Sequence, residues 1–263
     1  MADSVMAFYP LGTPLFGSGA HSERILDELI GIADAQGSSL LGHGQVVSGA
    51  LSLGWWRHGG GVVISDGLVR ARALQMELQA PVIVIDERLF AHVRAHSFAR
   101  NYGAEVDPVN NLFRRFEGTL RGSEVSFCHL DYIRICLEAV DWADTPERIE
   151  AYRAAPVGVA RRAIVEEGYR ASVSEWLLAH AASIVLAHRR AEPDARESLE
   201  WLAAYHNAMV AMAMADPVCL CVLDPAPPNP HLIQTGRSHE GFCHRHVPIH
   251  WRVGCRKSAR ARP

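Results

Sequence analysis

Residues 46–61 read VVSGALSLGWWRHGGG, and VVIS follows at 62–65. The first run is apolar enough for a strand, the glycines at 59–61 supply a turn, and VVIS returns as a second arm. Adjacent tryptophans rarely end an ordinary core strand, because their large apolar surface is best placed under cover. The stretch predicts a hairpin, and the paired aromatics Trp55 and Trp56 at an exposed strand end suit an interface. The plainer alternative is that both cover a sheet edge.

On the C-terminal side, GLVRARALQMELQA predicts a helix with Leu68, Ala71, Leu74, Gln75 and Leu78 at helical spacing. Asp66 would cap its start and Pro81 would stop it. VIVID is short and continuously apolar, which suits a strand buried on both faces. A further helix is expected over about 87–101. On the N-terminal side, Ser22 is a plausible N-cap, with Ile25, Leu29, Ile32 and Ala33 on one face of a helix that Gly37 would close. Before it stand MADSVMAFYP, expected as a strand, and a loop rich in Gly and Pro. Residues 1–101 thus read strand, helix, strand, strand, helix, strand, helix. That order defines a mixed α/β (α+β) sheet containing a hairpin.

SEVSFCHLDYIRI is expected to be a strand and turn, and residues 143–215 read as helical. The composition changes at Asp216, where prolines crowd Pro225–Pro230 and Cys, His and Arg cluster beyond them. Three divisions follow: an α/β domain over 1–142, a helical extension over 143–215 and an irregular tail over 216–263. The tail is open to two readings, a disordered appendage or a departure from an ancestral reading frame near residue 216.

The chain of 263 residues is 49% hydrophobic and 21% charged, with a formal net charge of −3. This composition suits a globular protein and gives no electrostatic reason to bind nucleic acid or a membrane surface. No window reaches the roughly 18 apolar residues needed to cross a bilayer, and no signal-peptide pattern opens the sequence. A cytoplasmic location is expected. Cys243, His244 and His246 could be ligands, but the paired C-x₂-C spacing of a zinc module is absent.

The central block, VVSGALSLGWW…VVISDGLVRARALQMELQAPVIVIDERL, together with MADSV and LEWLAAYHN at 199–207, resembles the nucleotide cyclase fold of adenylate and guanylate cyclases. It looks closest to bacterial pyrimidine (uridylate and cytidylate) cyclases of antiphage signalling. The resemblance spans roughly residues 1–215. It implies a homodimer with the nucleotide in the groove between protomers, the Trp55–Trp56 hairpin reaching toward the partner, and a downstream effector that responds to the cyclic product. It also implies a reaction in which the ribose 3′-hydroxyl of UTP, or less favourably CTP, attacks the α-phosphorus and expels pyrophosphate. Two divalent ions, Mn²⁺ or Mg²⁺, and basic side chains would stabilise the phosphorus centre.

The resemblance assigns a metal-binding role to Asp3, with Ser4 beside it among substrate-contacting positions. The second metal aspartate of such proteins lies on an earlier strand, and this sequence starts at MADSV; either the true start is upstream or this copy is impaired. Asp27 and Asp34 lie at the wrong place to replace it. Ser48 stands where the family carries arginine before glycine, and is taken as a substrate-contacting position. Val82 and Gln75 replace a family arginine and glutamate. Arg70 and Arg72 are the basic side chains expected to face the reacting phosphate, against the plain alternative of a solvated helix face. His43, His58 and His129 have no evident acidic partner in sequence, and His206 with Asn207 is expected to form a structural hydrogen-bond network.

Overall fold

The computed structural model describes residue 7, residues 20–95 and 109–223, and residues 232–233. The expected N-terminal strand, the end of the helix projected to residue 101 and most of the tail lie outside these residues.

Helix α1 spans Ala20–His43. Leu26, Leu29, Ala33 and Leu40 bury one side of it. It does not stop at Gly37. A Cβ there would meet the Cys136 Sγ at 2.7 Å, so this glycine permits close packing of two helices instead of ending one. The helix also begins before Ser22, which is therefore not its cap.

The expected strand at 46–54 is shorter than its apolar run suggests. Only Gly49–Leu51 forms β1. The chain then leaves the ladder, because the Leu53 carbonyl accepts from Arg70 and the Ser52 hydroxyl donates to Asp86. Gly54 meanwhile lies against the backbone of Gly67. Strands β2 (Trp56–Gly59) and β3 (Val62–Ser65) form a separate antiparallel ribbon. Its turn places Gly60 at φ 58° and Gly61 at φ 77°, the left-handed pair that a two-residue hairpin turn requires.

Helix α2 (Asp66–Leu78) follows without a linker. Its N-cap is Ser65 and not Asp66: the Ser65 hydroxyl accepts from the Leu68 N–H at 3.1 Å. Gln79, in the left-handed region, closes it two residues before Pro81. β4 (Ile83–Ile85) is buried throughout, as its apolar run predicts. α3 (Glu87–Ala95), a short α4 (Val109–Leu112), and the hairpin β5 (Phe113–Leu120) with β6 (Ser123–Leu130) follow. Then come α5 (Tyr132–Glu138), α6 (Pro146–Ala154), α7 (Val159–Arg190), α8 (Pro193–Met212) and β7 (Leu232–Ile233).

The main sheet runs β1-β4-β6-β5-β7. β1 and β4 are parallel, and the other pairings are antiparallel. The fold is therefore the mixed α/β class that the sequence implies. Leu177, Ile184, Trp201, Leu202 and Tyr205 of α7 and α8 belong to the same apolar cluster as Val84, Phe116 and Phe127 of the sheet. The helices beyond residue 142 thus share one core with the strands.

The first residues after Asp216 are also packed. Cys219, Cys221 and Leu223 are buried. Val218, Leu220 and Val222 alternate with them and face outward. This corrects the expectation that an appendage begins at Asp216: residues 217–223 form a strap held against α7 and α8, with Cys219 donating to the Ser174 carbonyl and Cys221 to the Ala181 carbonyl. No helix among the described residues is long and apolar enough to cross a membrane.

Candidate functional site

Parallel strands that end side by side, with a helix starting beside them, form a common setting for a ligand in α/β proteins. Here β1 and β4 end together, since the Asp86 N–H donates to the Leu51 carbonyl at 2.9 Å. Ser52 and Asp86 stand just past those ends. Asp66 and Arg70 lie one turn apart on α2, so both side chains share a face.

Arg70 is the centre of this cluster. Its Nε donates to Asp86 at 3.0 Å and to Ser52 at 3.3 Å. Its Nη1 donates to Asp66 at 2.8 Å, and its Nη2 to the Leu53 carbonyl. Arg88 approaches Asp66 at 3.9 Å from α3 but is largely exposed. Asp86 also caps α3, because its Oδ1 accepts from the Arg88 N–H at 2.6 Å.

The electrostatics follow from this geometry. Hydrogen bonding from Arg70 holds the Asp66 carboxyl below its ordinary range. Burial works to raise Asp86, but hydrogen bonds from Ser52, the Arg88 N–H and Arg70 outweigh it and leave that carboxyl lowered as well. Asp66 and then Asp86 keep Arg70 more firmly protonated than a free guanidinium. Two carboxylates therefore embrace one cation, and Arg88 adds a positive charge 3.9 Å from Asp66.

Arg72 is exposed and donates to Gln75 at 3.2 Å, one turn along its own helix. Ser48 is exposed and precedes β1, so it lies at the opposite end of that strand from Ser52 and Arg70. Asp3 and Ser4 lie outside the described residues. The structure thus sets Arg70 apart from Ser48 and leaves Arg72 outside the acidic cluster. Sequence reasoning missed Ser52 and Asp86. The available signal was the aspartate that ends the buried run VIVID.

Two metal ions are implied by the resemblance. Asp66, Asp86 and the Ser52 hydroxyl are hard oxygen donors of the kind Mg²⁺ and Mn²⁺ favour, yet both carboxylates are engaged by Arg70. The described residues contain no group of three or more His, Cys, Asp or Glu side chains placed to hold a metal. This donor set does not fit a two-metal centre by itself.

The rim beside the cluster is apolar. Trp55 is 60% exposed and Trp56 44%, and Val62, Ile64, Val69 and Met76 are exposed nearby in sequence. Isolated exposed apolar side chains are ordinary, whereas several carried by one hairpin and the helix that follows it suit an interface.

Among the remaining histidines, His43 and His58 are exposed. His129 is fully buried against Trp201 and Tyr205. Burial lowers it to about 4, so it is a neutral core residue. His206 and Asn207 do form the expected network, donating to or accepting from Cys219 and Cys221.

Comparison of the chain with protein-family models, with characterised proteins and with solved structures gives no match.

Proposed function

We propose that this chain is a nucleotide cyclase subunit that converts a pyrimidine nucleoside triphosphate, UTP in preference to CTP, to its 3′,5′-cyclic nucleotide and pyrophosphate. It would act as a cytoplasmic homodimer in antiphage signalling, with an effector reading the product. One observation carries the reading. Helix α2, bearing Arg70 and Arg72, starts directly from the tryptophan-bearing hairpin and stands at the joined ends of β1 and β4. A triphosphate there meets guanidinium groups on one wall and the apolar hairpin of a second copy on the other. In the reaction the O3′–Pα bond forms, the bond from Pα to the bridging oxygen of pyrophosphate breaks, and the hydroxyl proton leaves to solvent. The part assigned to Arg70 and Arg72 is to offset charge on the phosphate oxygens.

A second reading rests on a different observation. All three nitrogens of Arg70 already have protein acceptors, so the cluster is a closed ion-pair network before any phosphate arrives. That favours a cyclase-like protein that binds a nucleotide or a partner without turnover.

Purified protein incubated with UTP, CTP, ATP and GTP in the presence of Mn²⁺ separates the two. A cyclic pyrimidine nucleotide with matching pyrophosphate supports the cyclase. UTP binding with no cyclic product from any of the four, unchanged in Asp3→Ala, supports the second reading.

A further inference from the structure

The interior holds a polar chain that the proposed chemistry does not use. Tyr132 Oη lies 2.7 Å from His180 Nε2, His180 Nδ1 lies 3.0 Å from His206 Nδ1, and His206 Nε2 lies 2.8 Å from the Cys219 carbonyl oxygen. Tyr132, His180 and His206 are fully buried.

The direction of every bond in this chain is determined by its last member. A carbonyl oxygen only accepts, so His206 Nε2 carries a proton and donates. A neutral His206 then offers its Nδ1 lone pair, and His180 Nδ1–H must donate to it. His180 Nε2 is left as an acceptor, and the Tyr132 hydroxyl donates there. Two neutral imidazoles of fixed tautomer satisfy the whole line.

A proton added at His180 Nε2 turns the Tyr132 hydroxyl from donor to acceptor, and one added at His206 Nδ1 faces the His180 Nδ1–H head on. Either brings a buried charge that no ion pair among the described residues offsets. The groups facing the pair are Tyr132 from α5, Trp176 stacked on His180 from the same helix α7, Tyr205 beside Tyr132 from α8, and Cys219 and Cys221 from the strap. From α1, Asp34 acts on the Cys136 thiol. Asp131, at the start of α5, is taken by Arg114 at 2.7 Å and by the Tyr205 hydroxyl at 2.6 Å. Among the described residues no carboxylate bonds either imidazole.

We propose that the His180–His206 pair is a pH-sensitive clasp that fastens the strap of residues 217–223 to the helices and lets it go when the pair takes up a proton. Burial, joined for His180 by repulsion from His206, holds both imidazoles below their ordinary range, in keeping with neutral rings at neutral pH. The other fasteners do not titrate near neutrality: Asn207 exchanges two hydrogen bonds with Cys221, at 2.9 and 2.7 Å, and the two strap thiols reach helix carbonyls. The strap is held on one side only, since Val218, Leu220 and Val222 face outward. The clasp does not depend on the cyclase reading.

Peptide-resolved labelling of the full chain with a thiol reagent that reacts in acid, such as a dithiodipyridine, tests it. The clasp predicts that labelling of Cys219 and Cys221 rises by about tenfold or more between about pH 7.5 and about pH 5, while Cys128 and Cys136 stay protected. In His206→Gln, whose amide can still donate to the Cys219 carbonyl but cannot take a proton, the rise should fall below about threefold. If that variant does not fold, His180→Gln is judged by the same criterion. Labelling of all four thiols in step, labelling that ignores pH, or a full rise in the glutamine variant would each overturn the proposal.

Discussion

Arg70 shows how one side chain can decide between chemistry and structure. Its guanidinium joins the ends of β1 and β4 to the first turn of α2, and its two carboxylate partners differ in setting. Asp86 is 7% exposed and Asp66 32%. Asp86→Asn keeps the shape but weakens the buried ion pair, and is expected to destabilise the fold by about 1–3 kcal/mol in urea unfolding. Asp66→Asn, at the exposed edge, should shift the urea midpoint less than Asp86→Asn does. The same measurement on Gly37→Ala should show a loss of about 1–3 kcal/mol, because the new methyl group collides with Cys136 across two packed helices. The sequence suggested that Arg70 matters. It could not show that Ser52 and Asp86, 18 and 16 residues away along the chain, would be its partners, since that contact exists only once β1 and β4 lie side by side.

Elements were legible where a local signal was strong. The Gly60–Gly61 turn, the buried β4 and the α2 periodicity could all be read from the chain, because each depends on near neighbours. β1 could not be bounded, since its end is set by what Arg70 and Asp86 draw from Ser52 and Leu53. α1 ran past its glycine for a similarly non-local reason. The strap was hidden because VCLCVL is apolar at every position, so its buried and exposed faces carry the same chemistry. The cap of α2 is a direct check at this scale. Ser65→Ala should lower stability by about 1 kcal/mol, read as a shifted urea midpoint, since the Leu68 N–H loses its acceptor. The hairpin carries the opposite expectation. Trp55→Ser should leave the unfolding midpoint nearly unchanged, because Trp55 is 60% exposed, yet shift the protein from dimer toward monomer in sedimentation velocity. A monomeric parent, or no shift, would rule out the interface.

For the whole molecule, one core unites strands and helices, and buried histidines couple its stability to pH. His129 is lowered to about 4 by burial. It is therefore neutral in the fold, and its contribution is complete above the unfolded value near 6.5. As pH falls from about 6.5 to about 4, the unfolded chain gains a proton that the fold refuses. The loss across that window is on the order of 3 kcal/mol. Urea unfolding measured near neutrality and at about pH 5 should show more than half of it, and His129→Gln should lessen the difference. The function proposed above requires two copies to enclose a triphosphate between α2 of one protomer and the hairpin of the other. An experimental structure grown with Mn²⁺ and a UTP analogue that lacks its 3′-hydroxyl tests that most directly. The expected result is a dimer with the analogue's phosphates within reach of Arg70 or Arg72 and Trp55 or Trp56 of the second copy beside them. Nucleotide bound away from α2, or a monomer with Asp3 turned from that face, would contradict it.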